Sequence, residues 1–229
     1  MFGMETEEMN MSQSKGLVPK PIVDSLGRDT IKWVKPVEAT DSGRISRLGA
    51  TPLPAVSGDK SEVLYHDQFV TVQNIPSAYG GFVTVQNAHG KGSAVVIVNN
   101  NNEMMLVSQD RPAVGERNWE IPKGASNDNE DLSETAQREV MEETGIDLPL
   151  ESIIALGNVQ PDTARMVTRA GTFFARTNQT GSDGLDEAGE IASKGWFPVE
   201  DVVNACLDGT IEDSFTIVAV LRARVRGLI

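Results

Sequence analysis

The segment Gly124–Ile146 reads GASNDNEDLSETAQREVMEETGI and places five glutamates within 14 residues. A capped helix accounts for this pattern best. Asp131 can cap the first turn, with Glu134 three residues later, and acidic residues suit the positive end of the helix dipole. Gly145 supplies the left-handed residue on which helices commonly end. We therefore predict a helix between Asp131 and Gly145 whose glutamates are Glu134, Glu139, Glu142 and Glu143.

The direction of these glutamates follows from helical geometry. On a helix that turns by about 100° per residue, Leu132, Ala136 and Val140 form one apolar stripe that faces the core. Glu139 and Glu143 project close to this stripe. A solvated acidic face, which is the ordinary meaning of a charge run on a helix, would lie on the opposite side. The geometry therefore predicts carboxylates that point into the protein.

Inward glutamates four residues apart repel each other and resist leaving water unless a multivalent cation neutralises them. Glu142 lies to the side of this pair and would add a third carboxylate. Oxygen ligands suit Mg²⁺ or Mn²⁺, and neither His66 nor His89 is near enough in sequence to suggest zinc. Arg138 lies one turn before Glu142 and can orient it through an ion pair. We therefore predict a Mg²⁺ site, with Mn²⁺ as the alternative metal.

The same segment resembles the Nudix box. The resemblance rests on the matching residues Gly124, Glu130, Arg138, Glu139, Val140, Glu142, Glu143, Gly145 and Ile146. It implies a loop, helix and loop that bind divalent metal and hydrolyse a diphosphate linked to some other group. On this resemblance the metal ligands are Glu139, Glu142, Glu143 and the backbone carbonyl of Lys123, and Glu142 is also a catalytic candidate.

The preceding residues, SQDRPAVGERNWEIPKG, resemble the ADP-ribose and ADP-sugar pyrophosphatase branch of this family. The matching positions are Gln109, Arg111, Pro112, Trp119, Glu120, Ile121 and Pro122. By position, Arg111 would contact substrate phosphate and Glu120 would lie beside the ligand or metal site. The plainer alternatives are a surface ion pair for Arg111 and a satisfied acid at a strand end for Glu120. Lys123 departs from the Ala or Gly usual in this branch, and Pro-Lys-Gly is more similar to members that act on dinucleoside polyphosphates or inositol pyrophosphates.

Later positions complete the predicted site. Pro161 follows Gly145 by sixteen residues, close to where ADP-sugar members of the family carry a proline that shapes the substrate pocket. The polar stretch from Asn178 to Glu190 predicts a mobile loop. Related pyrophosphatases use a glutamate of the corresponding loop as catalytic base, so Glu187 and Glu190 are the candidates here. The sequence does not distinguish between these two.

Composition limits the classes of function. The net charge of −13 disfavours a nucleic-acid-binding surface, because phosphate backbones require clustered Lys and Arg. No window approaches the roughly 18 apolar residues of a membrane span, and the N-terminus lacks a hydrophobic signal core. A single cysteine, Cys206, excludes an internal disulfide and is expected to be buried packing rather than a nucleophile. We therefore expect a cytoplasmic protein.

The chain is predicted to contain three regions: a flexible tail at residues 1–27, an N-terminal β region at residues 28–90, and a Nudix hydrolase domain at residues 91–229. The hexapeptide FVTVQN occurs at Phe69–Asn74 and again at Phe82–Asn87, inside the alternating runs Glu62–Gln73 and Gly81–Asn87. The turn-rich IPSAYGG between the copies predicts an antiparallel hairpin. Related pyrophosphatases dimerise through such an N-terminal region, so we expect a homodimer.

The expected fold class is α/β. It is a mixed sheet sandwiched between helices, with the box helix against the open end of the sheet and an N-terminal antiparallel strand region. Beyond the box helix, we predict strands at Ser93–Val98, Met104–Val107, Ser152–Val159, Met166–Arg176 and Ser193–Phe197, and helices at Val199–Leu207 and Asp213–Arg226.

The function that these features favour is Mg²⁺-dependent hydrolysis of a nucleoside diphosphate sugar, with ADP-ribose giving AMP and ribose 5-phosphate. A diphosphatase for a dinucleoside polyphosphate or NADH is the alternative favoured by Lys123. A ligand sensor that has kept the fold and lost catalysis is a third reading. It is disfavoured because no basic DNA-binding region is visible and the box glutamates are intact.

Overall fold

The computed structural model describes residues 18–23, 29–34, 61–77, 80–87, 90–181 and 191–229. The chain divides into two compact units, Met1–Pro54 and Ala55–Ile229, whose boundary differs from the predicted boundaries at residues 27 and 90. In the first unit, β1 (Val18–Val23) pairs antiparallel with β2 (Asp29–Val34). Strand β1 lies within the segment that was predicted as a tail, and it contains two prolines. Prolines suit edge strands, and both strands of a two-stranded sheet are edges.

The second unit begins with a three-stranded antiparallel sheet of β3 (Glu62–His66), β4 (Val70–Ser77) and β5 (Gly80–Asn87). The predicted hairpin is confirmed, and the two FVTVQN copies pair with each other around Val72 opposite Val85. The alternating run Glu62–Gln73 contains a turn, so it contributes to two strands, β3 and β4. The Asp67 carboxylate accepts the backbone N–H groups of Phe69 and Val70, each at 2.8 Å, and so turns the chain between β3 and β4.

A seven-stranded mixed sheet forms the rest of the framework. Its central strand order is β10-β11-β6-β7-β12, while β8 pairs with β7 and β9 pairs with β6. Only the β6–β11 pair is parallel among these pairs. The central strand β6 is buried along nearly its whole length, as its apolar sequence requires. The strands are β6 (Lys91–Asn99), β7 (Glu103–Arg111), β8 (Glu116–Glu120), β9 (Lys123–Ala125), β10 (Ile154–Val159), β11 (Arg169–Thr177) and β12 (Ile191–Pro198).

Helices cover both faces of this sheet, so the predicted sandwich is confirmed. They are α1 (Leu132–Thr144), α2 (Val199–Asp208) and α3 (Ser214–Val225), with a short 3₁₀ turn at Leu150–Ser152. No helix within the described ranges is both long and apolar enough to cross a membrane.

Alternate side chains of β6 divide the core into two layers. Val95 and Ile97 pack with Ala136 and Val140 of α1 on one face. Val96 and Val98 belong to the layer with α2 and α3 on the other face. Helix α1 therefore covers a face of the sheet, rather than its open end as predicted, because its apolar stripe needs a flat apolar partner.

Candidate active site

Helix α1 begins and ends where the sequence predicted. The backbone N–H of Asp131 donates to the Glu134 carboxylate at 3.0 Å, as part of a capping box. Gly145 has a φ of 71°, and its N–H donates to the Met141 carbonyl at 2.9 Å. These ends fix the rotation of the helix and therefore the direction of its glutamates.

Glu139 and Glu143 point into the protein, as predicted, and each is only 8% exposed. The Glu139 carboxylate lies against the backbone of Gly124, where an added Cβ would come 2.1 Å from the carboxyl carbon. Only glycine allows this approach. The Glu142 side chain is 44% exposed, so the third carboxylate lies at the rim and not among the inward pair.

Arg138 joins the box acids to one another. Its guanidinium donates to Glu139 and Glu142 at 2.8 Å each and to Glu130 at 3.0 Å. It also donates to the Ala125 carbonyl at 2.7 Å, which ties α1 to β9. The predicted Arg138–Glu142 pair is confirmed within this larger network. Hydrogen bonds from Arg138 lower the pKa of Glu130 to about 2, so Glu130 is a permanent anion that holds Arg138 in place.

Glu143 is held from two sides. Its carboxylate accepts the Gln109 amide at 2.9 Å and the backbone N–H of Lys123 at 3.2 Å, and its backbone carbonyl accepts the Lys194 ammonium at 3.1 Å. Burial, together with the charge of Glu139, raises the pKa of Glu143 to about 8. Burial also raises the pKa of Glu139. The pair therefore resists carrying two negative charges without an added cation.

A second ionic cluster lies beside this pair. Glu120, at the end of β8, is buried and accepts from Arg111 and Lys123, with Arg111 Nε at 2.9 Å. Arg111 also donates to the Gln109 side chain, so the two clusters are continuous. The Lys123 ammonium lies 3.4 Å from the Asp213 carboxylate, and burial lowers the pKa of Lys123 to about 8. The partner of Arg111 is thus a buried acid rather than a surface carboxylate.

A cavity of about 260 Å³ opens beside these clusters. Its wall includes the basic residues Lys91, Arg111 and Lys123, together with Gly124 and Phe215. The cavity wall therefore carries cationic side chains, and three of its residues, Gln109, Lys123 and Gly124, contact the buried acidic pair, which is an arrangement suited to an anionic ligand with its cation.

Pro161 is the described site prediction that lies elsewhere. Pro161 is exposed between β10 and β11 and is not part of the wall of this cavity. Glu187 and Glu190 lie outside the described residues. The structure thus brings together Arg111, Glu120, Lys123, Glu139 and Glu143, with Glu142 at the edge.

The residues of the acidic pair fit a hard divalent cation. Over the described ranges, no three His, Cys, Asp or Glu side chains form a ready-made metal cage. Mg²⁺, however, commonly takes one or two carboxylates and completes its shell with water and substrate phosphate. Glu139 and Glu143 supply such oxygens, and burial raises the pKa of both carboxyl groups.

The sequence did not identify every residue that builds this site. Gln109 belonged to a recognised pattern, but its contact with Glu143 joins residues 34 positions apart. Nothing in the sequence pointed to Lys194. Asp213 was recognised only as an acid at the start of a predicted helix. Cys206 is buried, and burial raises the pKa of its thiol to about 11, which agrees with packing rather than nucleophilic chemistry.

Comparisons with known proteins identify the family to which this chain is similar. The NUDIX domain family matches residues 88–216, which is more than half of the chain. Nudix hydrolase 2 of Arabidopsis thaliana is 27% identical over 119 residues, covering 51% of this chain and 42% of that protein. The CMP-5'-(N-acetyl-N-hydroxy-3-aminopropyl)phosphonate hydrolase of Streptomyces rubellomurinus is 26% identical over 167 residues, covering 72% of this chain and 80% of that protein.

A solved structure gives the same fold. The crystal structure of an ADP compounds hydrolase superposes with a TM-score of 0.60 at 16% identity, covering 78% of this chain and 98% of that chain. This likeness concerns the fold alone. The domain match, supported by the box glutamates and their inward placement, shows that the chain belongs to the Nudix family.

Proposed function

We propose that this protein hydrolyses the pyrophosphate bond of a nucleoside diphosphate sugar in a reaction that requires a divalent cation, with ADP-ribose as the leading substrate. The observation that carries the proposal is the position of the buried pair Glu139 and Glu143 beside a cavity walled by Lys91, Arg111 and Lys123. A diphosphate with its cation would fit both the basic cavity wall and the acidic pair. Its negative charge suits the basic wall, and its metal suits the acidic pair.

Glu139 and Glu143 would hold Mg²⁺, or Mn²⁺, with help from Glu142 and the Lys123 carbonyl. A bound dication would offset the charge of the diphosphate and make a nearby water more acidic. The residues of the chain then have separate tasks. Arg138 keeps Glu139 in place through its 2.8 Å contact, and Gln109 does the same for Glu143 at 2.9 Å. Arg111, supported by Glu120, would bind a phosphate oxygen.

The reaction adds one water molecule across the P–O–P bond. The water oxygen bonds to one phosphorus, the bridging oxygen leaves with the other, and a base takes the proton before the leaving phosphate regains one. ADP-ribose would give AMP and ribose 5-phosphate. Glu142 at the rim, Glu187 and Glu190 are the candidates for the base. Pro161 remains a proposed substrate contact, supported only by its position in the sequence.

Diphosphatase activity on a dinucleoside polyphosphate or NADH is the second candidate. It is favoured by Lys123, which lines the cavity and whose positive charge would suit a substrate with more phosphate. Support for a nucleotide-linked substrate in general comes from two similar proteins. One is named for hydrolysis of a CMP phosphonate and the other for hydrolysis of ADP compounds.

A substrate panel tests the proposal. The purified chain is incubated with ADP-ribose, a second ADP-sugar, NADH and a diadenosine polyphosphate, each with Mg²⁺ and with EDTA, and the products are separated by chromatography. We expect Mg²⁺-dependent release of AMP and ribose 5-phosphate, fastest from ADP-ribose. Faster cleavage of NADH or the dinucleotide would select the second candidate. Binding without any cleavage would instead indicate a non-catalytic sensor.

Glu139→Gln is the matched variant for this panel, because it keeps the size of the side chain and removes its charge. We expect it to lose most turnover, by about 100-fold or more, while its thermal unfolding stays cooperative. Glu151→Gln, at an exposed position in the 3₁₀ turn, controls for loss of one acid. Unchanged activity of Glu139→Gln would remove Glu139 from the proposed metal site.

We also propose a homodimer formed through the sheet of β3, β4 and β5, which carries exposed large apolar residues on its strands. The proposed location is the cytoplasm. Support for it comes from the single cysteine, which leaves no internal disulfide to form.

A further inference from the structure

The N-terminus of α3 lies at the cavity, because Phe215 is part of the cavity wall and the N-cap residue Asp213 contacts Lys123, which also lines the cavity. Asp213 caps the helix, and its Oδ2 accepts the backbone N–H of Thr216 at 2.8 Å and the Thr216 hydroxyl at 2.7 Å. These bonds leave Oδ1 to face the Lys123 ammonium at 3.4 Å. Because one oxygen is fixed by the cap, the other is held in a defined position relative to Lys123.

Asp213 also balances the charge of the ionic cluster formed by Arg111, Glu120 and Lys123. Glu120 is shared by two cations, Arg111 and Lys123. Asp213 supplies the second anion, so the cluster holds two positive and two negative side chains. Lys123 is one of the residues that line the cavity, its side chain is 15% exposed, and its ammonium contacts both carboxylates. A flexible lysine held by two partners has lost most of its rotamer freedom before any ligand arrives.

We infer that Asp213 is a positioning residue that holds the Lys123 ammonium as a fixed cation facing the anionic group of the substrate. The inference rests on the proposed function, because it assumes that a diphosphate occupies this cavity. It adds a separate claim, that the residue capping α3 sets substrate affinity through Lys123 without touching the substrate itself.

A purely structural cap is the competing explanation. Asp213→Asn distinguishes a structural cap from a positioning role, because asparagine can still accept the Thr216 N–H but carries no charge toward Lys123. Lys123→Met removes the cation and keeps an unbranched side chain of similar length. Asp208→Asn is the matched control. Asp208 is an exposed acid that also accepts a backbone N–H, that of Thr210 at 2.9 Å.

The experiment is a double-mutant cycle on the full chain with Asp213→Asn, Lys123→Met and the double variant. Turnover of the best panel substrate gives kcat and KM. Calorimetric titration with α,β-methylene-ADP and Mg²⁺ gives affinity for a diphosphate that cannot be cleaved between its phosphates. Thermal unfolding reports the structural effect of each change.

We expect Asp213→Asn to raise KM and the Kd of the analogue by about three- to ten-fold, and to change kcat by less than about twofold. In the Lys123→Met background the same substitution should change neither constant by more than about 1.5-fold, because its effect passes through Lys123. Asp208→Asn should match the wild type. Equal effects of Asp213→Asn in both backgrounds would overturn the inference, as would an unchanged Kd.

The analogue separates this inference from the proposed function. If the wild type binds α,β-methylene-ADP but cleaves no substrate of the panel, the proposed function fails. The double-mutant cycle, measured through the Kd of the analogue, still decides the role of Asp213. If the wild type does not bind the analogue, the inference is overturned together with the diphosphate site.

Discussion

At the scale of single residues, Gly124 leaves the space that the Glu139 carboxylate occupies. A Cβ at Gly124 would lie 2.1 Å from the carboxyl carbon of Glu139, so Gly124→Ala must displace that carboxylate. The displaced group is the end of a flexible side chain, and the fold should tolerate the change. We expect about a 100-fold loss of turnover, since a catalytic group misplaced by about 1 Å can cost that much. Steady-state kinetics and thermal unfolding measure the two effects.

Gly195→Ala is the control for this prediction. Gly195 also lies in a strand of the large sheet, but an added Cβ would meet only the Phe197 ring at 3.4 Å, which is ordinary contact. Its activity should stay near that of the wild type. If Gly124→Ala kept full turnover, Glu139 would not need its present position for catalysis.

Glu143 should make the metal-free protein less stable as pH rises. Its folded pKa is raised to about 8 from an ordinary 4.5, chiefly by burial. A group whose folded pKa is raised contributes stability below its unfolded pKa, and this contribution is lost as pH rises through the folded value. In EDTA we therefore expect Glu143→Gln to melt at least about 2 °C above the wild type at pH 8.5, with a smaller difference at pH 5.

Scanning calorimetry at both pH values tests this expectation, and Glu142→Gln is the control at the exposed rim position. It should show no comparable gain in EDTA. Adding Mg²⁺ at pH 8.5 should raise the Tm of the wild type, because a ligand that binds the folded state stabilises it, and should raise that of Glu143→Gln less. A Glu143→Gln protein that melts below the wild type in EDTA at pH 8.5 would contradict the prediction.

At the scale of elements, α3 is tied to the segment between β8 and β9 through Thr216. The backbone N–H of Ile121 donates to the Thr216 hydroxyl at 3.1 Å, and both residues are fully buried. Thr216→Val keeps the shape of the side chain but leaves this N–H without its acceptor. We expect a loss of about 1–3 kcal/mol in the free energy of unfolding.

Thr216→Ser provides the comparison, since it keeps the hydroxyl and loses one methyl group. Urea unfolding measures the free energies, and amide hydrogen exchange reports the single bond. The Ile121 amide should exchange faster in Thr216→Val than in Thr216→Ser. Equal exchange rates of the Ile121 amide in the two variants would mean that the Thr216 hydroxyl does not hold the segment between β8 and β9.

At the scale of the whole molecule, the three-stranded sheet determines the expected assembly. Val63, Ile75 and Phe82 lie on one face of it, as their register shows, and are 59%, 36% and 48% exposed. Burying such a face between two copies would remove apolar surface from water. We expect light scattering at micromolar concentration to give the mass of a dimer. The double variant Val63→Asp, Phe82→Asp should be monomeric.

Leu207→Asp is the control for the assembly. Leu207 is 66% exposed on α2, away in sequence from the three-stranded sheet, and its substitution should leave the dimer intact. A wild-type chain that stays monomeric at these concentrations would refute the proposed dimer.

The sequence alone determined those features of this protein that depend on short, continuous segments of the chain. The bounds of α1, its capped ends and the burial of Glu139 and Glu143 all follow from a periodicity of about 3.6 residues and from turn residues at either end. The box pattern is contained in the same 23 residues, so family membership could be predicted as well. A repeated hexapeptide around a turn was likewise enough to predict the hairpin of β4 and β5.

Only the tertiary structure decided which distant residues share the site. The register of β7 against β8 places Arg111 and Glu120 on the same face, where their side chains form an ion pair, and the docking of α3 brings Asp213 to Lys123. The same packing leaves Pro161 out of the cavity wall and Glu142 at the rim. Local periodicity sets which face of an element is apolar, but not which of several apolar faces it meets. Those partners are chosen by the packing of the whole core, and the buried polar contacts follow from it.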